Sequence, residues 1–187
     1  MKKAFPVFLL LALTAFSMAQ VSLGKKVPNF SATDQDGSKW SLNQHLRSAE
    51  YLVIYFFPAA FTGGCTKQAC TYRDRKGELE TVNAQVVGVS GDEPGTLVLF
   101  ALQNQLNFTL LSDRDGRIAG LFGVPCTGGG TIQKEIEGRV TDLSRAATIQ
   151  RWTFILDRKG TLIYMDTEVT PDEDSRRVVE FLTSIEN

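Results

Sequence analysis

Tyr51-Leu-Val-Ile-Tyr-Phe-Phe57 runs directly into Pro58-Ala-Ala-Phe61-Thr62-Gly-Gly-Cys65-Thr-Lys-Gln-Ala-Cys70, and this junction decides the fold. The first seven residues are apolar, aromatic and β-branched without alternation, the pattern of a strand buried on both faces. Pro58 cannot donate to a ladder and stops the strand. Thr62 stands where a helix N-cap stands, which puts Cys65 in the first turn of the following helix. A strand thus delivers a cysteine to a helix N-terminus, where unpaired N–H groups and the helix dipole favour an anion. The thiolate is the reactive form of cysteine, so the junction reads as a redox or nucleophilic site.

Outward from the junction, Cys65, Ala69, Tyr72, Lys76 and Leu79 fall on one helical face. Upstream, Phe30 to Thr33 and Lys39 to Ser41 flank an Asp36-Gly37 hairpin signal, and Leu42 to Leu46 is a short helix. Downstream, Gln85 to Ser90 is a second buried strand, and Asp92-Glu-Pro94 opens a helix with Leu97, Phe100 and Ala101 on one face. Phe108 to Leu111 is a short strand, and Asp115 to Phe122 a short helix ended by Gly123. Residues 125–150 show Gly128-Gly-Gly130, mixed charge and no sustained period, the signature of an irregular segment. Trp152 to Leu156 and Thr161 to Met165 form a hairpin across Asp157-Arg-Lys-Gly160. The last helix carries a capping box, Thr170 with Glu173, has Pro171 at its first position, and turns Val178, Leu182 and Ile185 inward. Strands alternating with helices, then a closing hairpin and helix, predict an α/β sandwich around a mixed sheet in one domain, residues 20–187.

Residues 1–19 stand apart: Lys2 and Lys3, an apolar run from Phe5 to Phe16, then Ser17-Met18-Ala19. This is the charged, apolar and small-residue pattern of a cleaved secretory signal, and the run is short for a membrane span. The expectation is cleavage after Ala19 and export to a periplasmic or extracellular space, with an uncleaved anchor as the alternative. The remaining chain holds 18 basic against 21 acidic residues, a formal charge of −3, which points to neither nucleic acid nor a membrane surface. Export means an oxidising compartment, yet the chain has three cysteines, too few for a disulfide scaffold or a four-cysteine metal cluster.

An ordinary cysteine, with a pKa of about 8.5, is roughly 3% thiolate at neutral pH, and lowering that value to about 6 takes roughly 3.4 kcal/mol. A helix N-terminus supplies about 0.3–1 kcal/mol, at most about 2. A cation or several hydrogen bonds must add the rest. His45 is the single histidine and lies far upstream in a polar segment, so a cysteine–histidine hydrolase and a copper carrier both lack their ligand or base. Arginine is the better activator. Cys126, after Val124-Pro125, reads as a small semi-buried residue. Cys65 and Cys70 are neither a Cys-x-x-Cys site nor a zinc pair. Five residues along a helix place two Cα atoms about 8.7 Å apart. Bridged cysteines lie within about 7 Å. If both are helical when reduced, bridging them requires that helix to open. A permanent bond with no regular helix at 65–70 is the alternative.

Pro58-x-x-Phe61-Thr62-x-x-Cys65 resembles the active-site signature of the peroxiredoxins, the thiol-dependent peroxidases. Cys70, five residues on, and Tyr72-Arg73-Asp74 resemble the bacterioferritin-comigratory, or Q-type, branch. The resemblance spans residues 26–187 and takes in Val87 to Asp92, Phe108 to Asp113, Phe122-Gly-Val124 and Arg151 to Asp157. It implies a thioredoxin-like fold, a mixed central sheet flanked by helices with an N-terminal β-hairpin. It implies Cys65 as the peroxidatic cysteine and Cys70 as the resolving one, joined in a Cys65–Cys70 disulfide during turnover. Thr62 is then the hydrogen-bonding partner of thiolate and peroxide, Pro58 the shield of the pocket, and Arg151 the required cation. The implied partners are a peroxide substrate and a thioredoxin-like dithiol reductant, with no cofactor, no metal, and a monomer or weak dimer as the assembly. Two departures stand out: Gly63 where this branch often has proline, and a longer 125–150 segment with its added Cys126. The competing readings are a thiol–disulfide oxidoreductase acting on exported proteins and a non-catalytic domain with one structural disulfide. Peroxide chemistry needs Thr62 and Arg151, whereas those two do not.

Overall fold

The computed structural model describes residues 21–136 and 138–186, so the expected signal at 1–19 lies outside the described residues. The strands are β1 (Ser31–Asp34), β2 (Lys39–Ser41), β3 (Tyr51–Phe56), β4 (Ala84–Ser90), β5 (Thr109–Ser112), β6 (Cys126–Ile136), β7 (Arg139–Ile149), β8 (Thr153–Asp157) and β9 (Leu162–Asp166). The helices are α1 (Leu42–His45), α2 (Gly63–Asp74), α3 (Lys76–Thr81), α4 (Pro94–Gln103), α5 (Arg117–Phe122) and α6 (Asp174–Glu186). Seven strands form one mixed sheet in the order β2-β1-β5-β4-β3-β8-β9. β3, β4 and β5 run parallel, and β8 lies antiparallel against β3. This is the mixed sheet flanked by helices that the sequence predicts, with β1 and β2 as its N-terminal hairpin.

β3 lies inside the sheet, between β4 and β8, and is apolar on both faces. Leu52, Ile54 and Phe56 enter one core with residues of α1 and α5, whereas Val53, Tyr55 and Phe57 enter a second core with α2, α3, α4 and α6. The strand period of two assigns alternate side chains to opposite layers. Cys65 belongs to the second core. Two helical expectations are corrected. The cysteine helix breaks at Arg75, which leaves Lys76 exposed in α3 although Leu79 is buried. In α6, Val178 and Leu182 are fully buried while Ile185 is 46% exposed in the last turn. That helix begins at Asp174 after a turn in which the Glu173 and Asp174 N–H groups donate to Thr170 O.

The largest correction concerns residues 125–150. They are a regular antiparallel hairpin, β6 on β7, paired from Cys126 with Ile149 to Ile136 with Arg139. β6 is almost wholly exposed and β7 only partly buried, so no sustained apolar alternation marks the pair in the sequence. The hairpin is fixed to the body through backbone: Ala146 N–H donates to Gly91 O at 2.9 Å, and Glu93 N–H to Ser144 O at 3.1 Å. Ala147 and Ile149 join one core; Ile136 and Leu143 join the other.

Close approach at this seam requires glycine. A Cβ on Gly91 would lie 2.2 Å from Ala147 O, whereas one on Gly128 would meet nothing within 4 Å. Gly91→Ala is therefore expected to lower unfolding free energy by about 1–3 kcal/mol. Gly128→Ala should change it by no more than about 0.5 kcal/mol. Urea unfolding of the two variants beside the parent checks this, and equal stabilities would refute the seam.

Candidate active site

The end of β3 builds the site from the backbone outward. Phe57 N–H donates to Val89 O at 3.0 Å, so the chain is still held to β4 as it leaves the strand. Pro58 is half-buried, and Ala59 and Ala60 are buried. Ala60 N–H donates to Asp92 Oδ2 at 2.8 Å, and that oxygen also accepts from Ser90 Oγ at 2.8 Å. Phe61 takes a left-handed backbone conformation, φ 65°, with its ring in the core against Phe100. The Lys134 ammonium of β6 caps this residue, 3.2 Å from Phe61 O and 5.4 Å above its ring centroid. Thr62 is the N-cap of α2 in extended conformation, but its hydroxyl donates to Ala59 O at 2.9 Å and accepts from no helix N–H.

Cys65 follows in the first turn of α2 and is 1% exposed. Arg151, from the residues leading into β8, donates from Nη2 to Cys65 Sγ at 3.3 Å. Its Nη1 donates to Gln68 Oε1 at 2.5 Å. The guanidinium thus places a charged donor on the sulfur at the N-terminal end of α2. The structure therefore brings Cys65 and Arg151 together from positions 86 residues apart.

Cys70 lies in the same regular helix, half-buried, its thiol directed at Asn104 Oδ1 at 3.9 Å. All three cysteines are free. A permanent Cys65–Cys70 staple is thus not what the structure contains, and residues 65–70 are helical. Cys126 is exposed and sits beside Gly116 at the start of α5, which packs on the opposite layer. Burial and then the Asp113 carboxylate push its thiol pKa up, away from reactivity. His45 stacks on the Trp40 ring, centroids 4.5 Å apart, and takes no part in the site. Among the described residues no cluster of histidine, cysteine and carboxylates could hold a metal ion, and no helix is long and apolar enough to cross a membrane.

Several groups escaped sequence reasoning. Gln68 is fully buried on the Cys65 face of α2, three residues on, so helical spacing alone could have found it. Asp174 is also fully buried, although in sequence it is one more acid at a helix start. Its Oδ2 accepts from Gln68 Nε2 at 2.6 Å, Tyr72 OH at 2.8 Å and Thr153 Oγ1 at 2.9 Å. Burial raises its carboxyl pKa, against the pull of those three donors. Burial likewise drives the Tyr72 and Tyr55 phenols well up, so both stay neutral. Lys134 had no signal because its hairpin had none.

Residues 23–165 match the AhpC/TSA family. Among curated proteins the chain is 36% identical over 169 residues to a chloroplastic peroxiredoxin Q from Populus jackii, covering 89% of this chain and 70% of that one. It is 37% identical over 145 residues to peroxiredoxin Bcp from Escherichia coli, covering 78% and 85%. Among solved structures it is similar to peroxidoxin BcpB from Mycobacterium tuberculosis, with a TM-score of 0.74, 30% identity, and 90% and 100% of the two chains covered. With a cysteine at a helix N-terminus and an arginine on its sulfur, the chain belongs to the AhpC/TSA family and is a thiol-dependent peroxidase of the peroxiredoxin kind.

Proposed function

We propose that Cys65 is the peroxide-reducing thiolate and Cys70 the thiol that resolves it. The observation that carries this reading is Arg151 Nη2 at 3.3 Å from a buried Cys65 Sγ. The thiolate attacks one peroxide oxygen; an S–O bond forms, the O–O bond breaks, and water or an alcohol leaves after protonation. Arg151 stays beside the sulfur and the departing negative charge, where a fixed donor is worth most. Thr62, at the mouth of the loop, supplies a hydroxyl to the peroxide, and half-buried Pro58 shields the site from water. The Cys70 sulfur then displaces hydroxide from the Cys65 sulfenic acid, giving a Cys65–Cys70 disulfide and water. An external thioredoxin-like dithiol protein returns two electrons by exchange. Hydrogen peroxide and organic hydroperoxides are the proposed substrates, and a monomer or weak dimer the working form. The pattern at 1–19 supports export with cleavage after Ala19, which places the cycle in the periplasm or outside the cell.

The disulfide step conflicts with the resting geometry. Helical residues five apart hold their Cα atoms about 8.7 Å from each other. A bridge accepts at most about 7 Å. The first turns of α2 must therefore open on oxidation, releasing Gln68 and Tyr72 from Asp174 and exposing the bond to its reductant. A Cβ built on Gly63 would meet nothing within 4 Å, so the space beside this residue is open.

Cys65→Ser is expected to abolish peroxide turnover. Cys70→Ser should allow one stoichiometric oxidation and then accumulate sulfenic or sulfinic acid, which mass spectrometry reads directly. Undiminished turnover in Cys65→Ser would remove the assignment. Arg151→Ala should slow single-turnover oxidation by about 10- to 100-fold, the worth of a charged hydrogen bond of roughly 1.5–3 kcal/mol. Stopped-flow fluorescence measures this, and an unchanged rate would exclude the guanidinium from the chemistry. Amides 63–72 should exchange slowly in the reduced protein and much faster in the disulfide form. Equal protection in the two states would show that no opening accompanies the bond.

A further inference from the structure

Arg151 can serve Cys65 only while its guanidinium faces the sulfur, and a long flexible side chain does not hold that pose unaided. Its second anchor is Gln68 Oε1. Gln68 has both a donor and an acceptor on one amide, and a flip would turn NH2 toward the guanidinium, donor against donor. What forbids the flip is the group on its other side. Asp174 Oδ2 accepts from Gln68 Nε2 at 2.6 Å, and Tyr72 and Thr153 donate to the same oxygen. Asp174 Oδ1 is buried with no hydrogen-bond partner among the described residues, so the network loads the one oxygen that faces Gln68. A carboxyl acceptor on one side and a donor-only guanidinium on the other leave the amide a single orientation. Oδ2 fills this role whether or not Oδ1 carries a proton.

We propose that Asp174 is a positioning residue for the peroxide chemistry: through Gln68 it fixes the Arg151 guanidinium against Cys65. The proposal rests on the reading of Cys65 and Arg151 above. Asp174 touches neither peroxide nor sulfur. Its effect runs from the first residue of α6, through α2, to the entry of β8, three elements that meet at this carboxylate.

Loss of a buried carboxylate that holds three donors can also unfold the protein, so the test removes donors and acceptor together. The reference protein is Tyr72→Phe/Thr153→Val, which keeps both side-chain shapes while deleting two of the three donors. Adding Asp174→Leu leaves the Gln68 amide as the single group deprived of its partner, in a core that stays packed. Oxidation by hydrogen peroxide is followed in single turnover and expressed per titrated Cys65 thiol, so a smaller folded fraction does not move it. The expected result is a rate constant about tenfold below the reference, as for one lost orienting hydrogen bond. Gln68→Leu should produce the same loss, with Asp174→Leu adding nothing on top of it. Asp174→Asn, which keeps an acceptor oxygen, should recover most of the rate. Equal rates in the reference and the Asp174→Leu protein, or losses that add with Gln68→Leu, would overturn the proposal. A measurement on the unsubstituted protein stands independently: the Gln68 side-chain amide protons should resist solvent exchange, and a freely exchanging amide would overturn the proposal by itself. Cys65 inert to peroxide in the unsubstituted protein would instead defeat the assignment of Cys65, a result read from that trace alone.

Discussion

A guanidinium resting on a buried sulfur is the contact on which the site depends, and the sheet order is what makes it possible. β8 lies antiparallel to β3, so the start of β8 pairs with the end of β3, Thr153 opposite Tyr55. Phe56 N–H donates to Trp152 O at 2.8 Å, which fixes Arg151 one residue further along, level with the loop that leads into α2. Had β8 run parallel to β3, the arginine would have arrived at the opposite edge of the sheet. A helix N-terminus and a cation thus meet at one sulfur.

The same burial that strengthens the Arg151–Cys65 contact makes the helix around it costly to open. Gln68, Ala69 and Tyr72 are fully or almost fully buried, and Tyr55 stacks on Tyr72 with centroids 4.9 Å apart. Opening the first turns leaves Asp174 without two of its three donors. The fold thus sets a tight reduced state against the freedom that the proposed Cys65–Cys70 disulfide would demand. The break at Arg75 confines that freedom, because α3 begins independently and keeps Leu79 in the core. Unwinding α2 need not propagate into the connection to β4.

Much of this was legible in the sequence because local signals and tertiary packing agreed. The unbroken apolar run of β3, Pro58 at its end, Pro94 opening α4 and Gly123 closing α5 each specify a local conformation that the fold then uses. Cys65 and Arg151 could be named from the motif, although only the register of β8 on β3 explains their meeting. The β6–β7 hairpin was illegible for a physical reason: it is held by backbone hydrogen bonds and close glycine contacts at Gly91 and Gly129, and neither leaves an apolar period. Asp174 was hidden by the opposite ambiguity, since an acid at a helix start is ordinary on a surface and informative only once known to be buried.

The hairpin and the buried carboxylates converge on one short loop. Ala60 is held by Asp92 at the end of β4, Phe61 by Lys134 of β6, and Cys65 by Arg151 at the entry to β8. Asp92 is itself flanked by the seam, where Gly91 O and Glu93 N–H bond to Ala146 and Ser144 of β7. The hairpin that grips Phe61 is therefore anchored beside the carboxylate that grips Ala60. A left-handed, non-glycine Phe61 carries a conformational cost of order 1 kcal/mol, which persists only where surroundings over-determine it. Here the surroundings are an ammonium on its carbonyl and ring, a carboxylate on the preceding amide, and Phe100 against its side chain. Pinned in this way, Phe61 turns the chain from strand into helix and sets Cys65 on the first turn. The irregular backbone conformation sits at the point where the loop must deliver a thiol to a helix terminus, and three separate segments of the chain are arranged to keep it there.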